Sequence, residues 1–400
     1  MSLAEGYDSF LIDLDGVLYR GDAAIPGAGE AIDRLRSAGK GLAFVTNNSS
    51  RTPEEVAEKL TSLGVGASSD EVVTSALATA SLLSKWGGGS AFVIGETGVR
   101  KALTDAGVEI VEGESKSADF VVVGWDRTVD YAKLRTASLL VQRGARLVAT
   151  NSDASYPAPD GLWPGAGAIL AAVTATTGVP AEVVGKPHAP LFHEARGRAG
   201  GGRALSVGDR LDTDIAGAAE LGWDSLLVFT GVTGPPDLLR VPVLPTFVGK
   251  DLGALWDDAH HIRVAAAGDV AAIEGLLRAG GLTSAGVPDR LPDTFVAHAE
   301  DGLAGTVSIE RVGTLGHLRA LVVKDDRRGC GLGTLLAAHA VRAARDSGIR
   351  ELYAVTETAE GFFGGVGFER LGAKDALPAS LRDTVWDCCD SRAIVLRLAL

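Results

Sequence analysis

The chain has 400 residues and a formal net charge of −13, from 38 Lys+Arg against 51 Asp+Glu. That length predicts two or three domains at roughly 100–200 residues each. No run approaches ~18 apolar residues, and residues 1–10 lack a basic stretch followed by an apolar one, so neither a membrane span nor a signal peptide is expected.

Hydrophobic residues make up 46% and charged residues 22%, a globular balance that excludes wholesale disorder. Three cysteines, Cys330, Cys388 and Cys389, offer neither a disulfide framework nor a spaced metal site, and a reducing cytoplasm is the simplest location. Adjacent Cys388 and Cys389 are either reactive or, as is more usual, buried or incidental. The charge is −11 over residues 1–260 and −2 over 261–400. Neither part is basic enough for a broad nucleic-acid footprint. An acidic protein that handles an anion must gather positive charge locally.

In chain order, residues 10–14 form a short apolar strand ending in acids, 28–37 a helix and 41–46 a buried strand. Residues 53–63 form an amphipathic helix with Pro53 at its favoured first position. Further strands are predicted at 91–94, 120–123, 146–149, 204–207 and 225–229. Helical stretches lie between most of them, which indicates βαβ units and a mainly parallel sheet. A boundary falls near 256–262. Beyond it the pattern restarts: strand 262–266, helix 269–278, strands 294–299, 305–311 and 318–323, then a glycine-rich turn and a long helix over 331–347. A separate α/β domain of ordinary size is expected there.

Asp13-Leu14-Asp15-Gly16-Val17 closes the first strand, at the sheet edge where α/β proteins bind ligands. The turn at Gly16 can bring both carboxylates into one cleft. Such a pair is tolerable if a cation holds one acid or if one is protonated. The alternative is a solvated strand end whose acids cap a helix. Three later pieces weigh on the choice. Thr46-Asn47 ends the second strand and offers a hydroxyl and an amide to an oxyanion. Lys186-Pro187 precedes a helix and places a compact positive charge. Gly208-Asp209-Arg210-Leu211-Asp212-Thr213-Asp214 supplies carboxylates for a hard cation such as Mg²⁺.

These four motifs, DLDGV (13–17), TN (46–47), KP (186–187) and GDRLDTD (208–214), resemble the haloacid dehalogenase (HAD) phosphohydrolases over residues 8–255. The resemblance implies an aspartyl-phosphate formed on Asp13, with Asp15 as general acid and then base. It implies Thr46 and Lys186 on the phosphoryl oxygens, with Gly16 and Asn47 beside them. Mg²⁺ would lie on Asp13, the Asp15 carbonyl and Asp209, supported by Asp214. Asp15 to Thr46 is 31 positions, too few for a domain, whereas Thr46 to Lys186 is 140. An inserted α/β cap is therefore expected between them. The pieces Asn47-Asn48-Ser49-Ser50, Val123-Gly124-Trp125-Asp126, Ala149-Thr150-Asn151-Ser152-Asp153 and Gly165-Ala166-Gly167 resemble the NagD and p-nitrophenylphosphatase branch, whose cap is of type 2. That branch usually has Pro where Ser152 stands. Trp125, Asp126, Asn151 and Asp153 are the candidates for the cap's lining. The alternative makes Trp125 core, Asp126 a turn, and Asn151 and Asp153 a structural corner.

A cap favours small phosphomonoesters over polymers. The branch takes glycerol phosphate, phosphoglycolate, pyridoxal phosphate or nucleoside monophosphates. A cap of this type with an added C-terminal domain resembles the glycerol-3-phosphate phosphatases. The expected architecture is a Rossmann-like HAD core (1–77 and 183–258), a type-2 cap (78–182) and a third domain (262–400). A small phosphomonoester and a second copy of the chain are the expected partners, with no nucleic acid and no membrane.

In the third domain, Arg328-x-x-Gly331-x-Gly333 follows a strand and opens a helix, where an anion is favoured. With Phe363-x-x-x-Gly367-Phe368 it resembles the GNAT N-acetyltransferases over residues 262–400. The resemblance implies acetyl-CoA or CoA at Val323, Arg328, Gly329, Gly331, Gly333 and Thr334. That family often has a proton-donating Tyr where Phe363 stands, and Phe cannot donate. His317, Arg319 and Glu310 are the ionisable alternatives. The readings open for this domain are acetyl transfer, acyl-CoA sensing and assembly.

Overall fold

A computed structural model of the protein describes residues 1–158, 160–385 and 393–400. Cys388 and Cys389 lie outside the described residues. The chain divides into two compact units: Tyr7–Gly208 with Asp212–Ser225, and Leu226–Leu400 with Met1–Gly6 and Asp209–Leu211.

The first unit opens with β1 (Ser9–Asp13), whose first four residues are buried. A small ladder, β2 (Tyr19–Arg20) with β3 (Ala23–Ala24), precedes α1 (Ala28–Ser37). Then come β4 (Gly41–Thr46), α2 (Pro53–Ser62), β5 (Val72–Thr74) and α3 (Ser75–Lys85). Thr52 and Glu55 form a reciprocal cap at the start of α2, which satisfies two backbone N–H groups and fixes where the helix begins. Four parallel strands run in the order β13 (Ala204–Gly208), β1, β4, β5. Pairing of Asp13 with Val45 and of Ile12 with Val207 brings the ends of β1, β4 and β13 to one edge. Central strands covered on both faces read as unbroken apolar runs, as FLI, LAFV and ALSV do.

Between β5 and β13 lies a second parallel sheet. It is built from β6 (Ser90–Ile94), β7 (Glu109–Val111), β8 (Phe120–Val123), β9 (Arg146–Ala149) and β12 (Glu182–Val183), ordered β12-β9-β8-β6-β7. Helices α4 (Thr97–Asp105), α5 (Tyr131–Gln142) and α6 (Ala166–Thr177) accompany it. An antiparallel hairpin, β10 (Ser155–Ala158) with β11 (Gly161–Pro164), precedes α6. Val121, Val123, Leu140, Leu147, Ile169 and Val173 form the core of this layer. α7 (Ala189–Arg198) leads into β13, and a π turn over Leu211–Ile215 runs into α8 (Ala216–Glu220).

In the second unit, β14 (Asp224–Val228) pairs in parallel with β15 (Phe247–Gly249), with α9 (Pro235–Leu238) between them. A seven-stranded sheet follows, ordered β16-β17-β18-β19-β20-β22-β21. Its strands are β16 (His260–Val264), β17 (Thr294–Ala299), β18 (Gly302–Val312), β19 (Leu315–Val323), β20 (Glu351–Thr356), β21 (Glu369–Ala373) and β22 (Ile394–Ala399). Only β19 and β20 pair in parallel among the described strands of this sheet. α10 (Val270–Ala279), α11 (Leu332–Asp346) and α12 (Glu360–Gly365) pack with it. Among the described residues no helix is long and apolar enough to cross a membrane.

Candidate active site

The edge formed by β1 and β13 gathers the acids and the lysine of the motifs. Lys186 leaves the turn after β12, and its side chain is only 5% exposed. Its Nζ donates to Asp13 Oδ1 and, at 2.6 Å, to Asp214 Oδ1. Burial by itself would lower the lysine's pKa. The charges of Asp13 and Asp214 and its hydrogen bonds to both outweigh that and raise it. Gly208 makes room for this arrangement, because a Cβ there would lie 2.2 Å from Asp214 Cβ. Asp209 Oδ2 accepts from Val232 N–H at 2.6 Å. Asp13, Asp209 and Asp214 each offer a carboxylate oxygen, all within 4.8 Å of one another. Three converging carboxylates are the hard, oxygen-only donor set that suits Mg²⁺, so these residues fit that ion.

Asp15 stands beyond the turn, where Gly16 takes φ +85° and donates its N–H to Tyr19 O at 2.7 Å. Crowding by surrounding protein raises the Asp15 pKa against the pull of Lys59, Arg20 and the Gly16 N–H. A carboxyl that holds its proton more tightly than usual is suited to giving it to a leaving oxygen. Asp15 contributes no side-chain oxygen to the three-acid cluster.

Thr46 Oγ1, at the end of β4, accepts from Asn48 N–H at 3.1 Å. The Asn47 side chain is held by three bonds. Its Oδ1 accepts from Lys186 N–H at 2.7 Å, and its Nδ2 donates to Lys186 O and Asp153 Oδ2, each at 3.1 Å. The amide thus braces the lysine turn and ties it to the 151–153 loop. Asn151 Nδ2 in turn donates to Asn47 O at 2.7 Å. Trp125 is buried, donates Nε1–H to Pro164 O at 3.0 Å, and stacks on Tyr156 with centroids 4.2 Å apart. Asp126 is buried and bound to Lys133 Nζ (2.8 Å), Thr128 N–H and Thr128 Oγ1. Burial would raise its pKa, but those bonds lower it. Its partners are therefore internal to the turn that starts α5.

Tyr19 and Lys59 also stand close to Asp15 and are not in the four motifs. Lys59 Nζ sits 3.9 Å from the Tyr19 ring centroid, and both Arg51 and Tyr156 are close enough to Tyr19 to act on its hydroxyl. The one sequence signal for them is the basic residue at position 59 on the partly buried face of α2.

In the second unit, Gly329 (φ +80°) and Gly331 (φ +90°) shape the turn, and Gly331 is the N-cap of α11. The first backbone N–H groups of that helix are left for an outside acceptor. Arg328 pairs with Asp325 and donates Nε–H to Val323 O at 3.1 Å. Thr334 is buried, and a Cβ at Gly333 would meet Phe362 at 3.3 Å. A cavity of ≈ 560 Å³ is lined by Arg327, Arg328, Gly329, Cys330 and Leu332 on this turn. Asp251, Asp257, Asp258 and Asp326 line the same cavity. Phe363 is buried against Phe362 and Phe368 and carries no proton to give. Of the ionisable alternatives, Arg319 is paired with Glu310. Burial, with Arg319 and Arg290 nearby, pushes the His317 pKa down to about 3, so it is neutral.

A parallel α/β edge carrying three acids, a buried lysine and a threonine hydroxyl defines a phosphoryl-transfer hydrolase, and the comparisons agree. The profile described as haloacid dehalogenase-like hydrolase matches residues 10–109, and a HAD-hydrolase-like profile matches 183–255. An acetyltransferase (GNAT) domain profile matches 291–370. An acid sugar phosphatase from Staphylococcus aureus is 43% identical over 249 residues, which is 62% of this chain and 95% of that one. A glycerol phosphate phosphatase from Mycobacterium tuberculosis, solved with magnesium, is 31% identical with a TM-score of 0.72, covering 92% of this chain and 99% of that one. A thermostable NPPase from Geobacillus stearothermophilus is 40% identical with a TM-score of 0.58, over 63% and 98% of the two chains. The chain belongs to the haloacid dehalogenase-like hydrolases. It is a phosphomonoester hydrolase of that family, with a GNAT domain at its C-terminal end.

Proposed function

We propose that the chain is a Mg²⁺-dependent phosphatase that cleaves a small phosphomonoester through an aspartyl-phosphate, glycerol 3-phosphate being the first candidate. The observation that carries this reading is the Lys186 ammonium held between Asp13 and Asp214, with Asp209 beside them. A carboxylate oxygen of Asp13 attacks phosphorus as the bond to the ester oxygen breaks. Asp15 gives its proton to the departing alkoxide. Asp15 then takes a proton from the water that attacks the acyl phosphate, and inorganic phosphate leaves with Asp13 restored. Thr46 and Lys186 hold the phosphoryl oxygens, in a pocket that includes Gly16 and Asn47. Asp13, the Asp15 main-chain carbonyl, Asp209 and Asp214 would hold Mg²⁺. Bound there, the ion offsets the repulsion between a carboxylate and a phosphate dianion.

In this reading residues 1–77 and 183–258 form the catalytic core. Residues 78–182 form the cap, with Trp125, Asp126, Asn151 and Asp153 near the substrate. The similarity to the M. tuberculosis glycerol phosphate phosphatase, which spans the third domain as well, supports the choice of substrate. Phosphate release from a panel of phosphomonoesters, with Mg²⁺ or with EDTA, tests it. Full activity in Asp13→Asn would refute the covalent route.

A second reading concerns residues 262–400. Phe363 at the position of the usual proton donor favours a domain that binds acyl-CoA without transferring the acyl group. Calorimetric titration with acetyl-CoA, beside an assay for amine acetylation, separates the two activities.

A further inference from the structure

Lys186 holds two of the three converging acids, Asp13 and Asp214. The third, Asp209, is gripped by main chain from outside the four motifs. The turn over residues 229–234, between β14 and α9, lies in the same compact unit as Asp209. Two consecutive N–H groups of this turn bond that one residue. Val232 N–H donates to Asp209 Oδ2 at 2.6 Å, and Thr233 N–H donates to Asp209 O at 3.2 Å. Both ends of the turn are anchored. Phe229 N–H donates to Gly249 O on β15 at 3.0 Å, and Gly234 N–H donates to Asp237 Oδ2 in α9 at 2.8 Å.

Gly231 makes that grip possible. A Cβ built on it would overlap Oδ2, Cγ and Cβ of Asp209. Its φ lies outside the left-handed region, so an alanine there would suffer from that overlap and not from its own backbone. The bond from Val232 is charge-assisted, which makes it stronger than a neutral one and fixes the direction of the carboxylate. A peptide N–H also carries no net charge. It orients Asp209, which is 1% exposed, and leaves the acid's negative charge for a cation.

We propose that Gly231 is a positioning residue for the metal. Having no side chain, it lets the 231–232 peptide lie against Asp209 and hold that carboxylate at the acid cluster, so the affinity for Mg²⁺ depends on it. This rests on the reading that Mg²⁺ lies on Asp13, Asp209 and Asp214. A group that orients a metal ligand from behind governs affinity without touching the ion.

Calorimetric titration of the full-length protein with Mg²⁺ tests it. Gly231→Ala is expected to weaken binding by roughly 10–100-fold. Gly234→Ala makes the same change at the end of the same turn, where a Cβ would rest 3.6 Å from Pro236 Cδ, and should bind Mg²⁺ as the wild type does. Turnover of glycerol 3-phosphate should follow, with the loss in Gly231→Ala largely recovered as Mg²⁺ is raised. Unchanged affinity in Gly231→Ala, or an equal loss in both variants, overturns the proposal. If the wild type takes up no Mg²⁺, the metal reading fails instead, and urea unfolding in EDTA still reads the contact. Gly231→Ala should then lower the unfolding midpoint in the wild type and much less in an Asp209→Gly background, where the overlapped atoms are gone. Equal shifts in the two backgrounds overturn the positioning role.

Discussion

The Lys186 ammonium lies 2.6 Å from Asp214 Oδ1 and donates on its other side to Asp13 Oδ1, with both the lysine and Asp214 almost wholly buried. Breaking a buried pair from one side leaves the other charge uncompensated. Lys186→Met is therefore expected to lower stability by about 3 kcal/mol in EDTA, read from urea unfolding. Excess Mg²⁺ should restore part of the loss, because an ion that binds the acids only in the folded state stabilises that state. A deficit that Mg²⁺ leaves unchanged would mean that the ion does not use these acids.

Asp15 gives a prediction with two signs. Asp15→Asn removes the proton donor and should slow glycerol 3-phosphate hydrolysis by roughly 10²–10⁴-fold. An ester with a more acidic leaving group, such as p-nitrophenyl phosphate, needs that proton less and should suffer less. Stability moves the other way. The folded pKa of Asp15 is raised, chiefly by burial, so its contribution is fully present below the unfolded carboxylate pKa and is lost as pH rises through the folded value. The asparagine variant should therefore be the more stable protein at neutral pH, and this advantage should vanish in acid. Equal stability at both pH values in thermal unfolding would contradict the raised pKa.

Three of the four motifs are legible in the sequence because each sits at the end of a buried strand, and strands covered on both faces are unbroken apolar runs; Lys186-Pro187 instead follows the two-residue strand Glu182–Val183, which is not buried. What those side chains do is less legible, because it depends on neighbours distant in sequence. Asn47 reads as a donor to an oxyanion, yet its amide holds Lys186 and Asp153, residues more than a hundred positions away. Asp126 reads as cap lining, and its carboxylate is taken up by Lys133 and Thr128. The short strands Val72–Thr74 and Glu109–Val111 carry too few residues to show a period. Lys59 looks like an ordinary helix charge until its place over the Tyr19 ring and the β-bridge between Tyr19 and Asp15 bring it to the site.

The second unit should be sensitive to acid. His317 is buried, its Nδ1 has no hydrogen-bond partner among the described residues, and its pKa falls to about 3 through burial and the nearby Arg319 and Arg290. The unfolded imidazole takes its proton near the ordinary value of about 6.5. Between those values the unfolded chain holds more protons, so stability falls as pH drops from about 6.5 toward 3. His260 and His339, each lowered to about 4 mainly by burial, act in the same direction. His317→Leu should flatten the dependence of unfolding free energy on pH below 6.5. An unaltered slope would mean that His317 is already protonated, or equally neutral, in both states.

Asn47 joins the lysine turn to the 151–153 loop, and its loss should be felt in both stability and turnover. Asn47→Ala strips the acceptor from Lys186 N–H and the donor from Lys186 O, two groups that lie in a part-buried setting. Leaving them unsatisfied is expected to cost about 2 kcal/mol or more. Because Lys186 hangs from that turn, a displacement of about 1 Å should also lower kcat/KM by roughly 10²-fold. Asp153→Ala removes only the 3.1 Å bond from Asn47 Nδ2 and leaves both bonds to Lys186 in place. Its effect on kcat should be smaller, since the lysine keeps its support. Urea unfolding and steady-state kinetics on the two variants read the difference. Equal losses of kcat would mean that the tie to Asp153, rather than the brace on Lys186, positions the lysine.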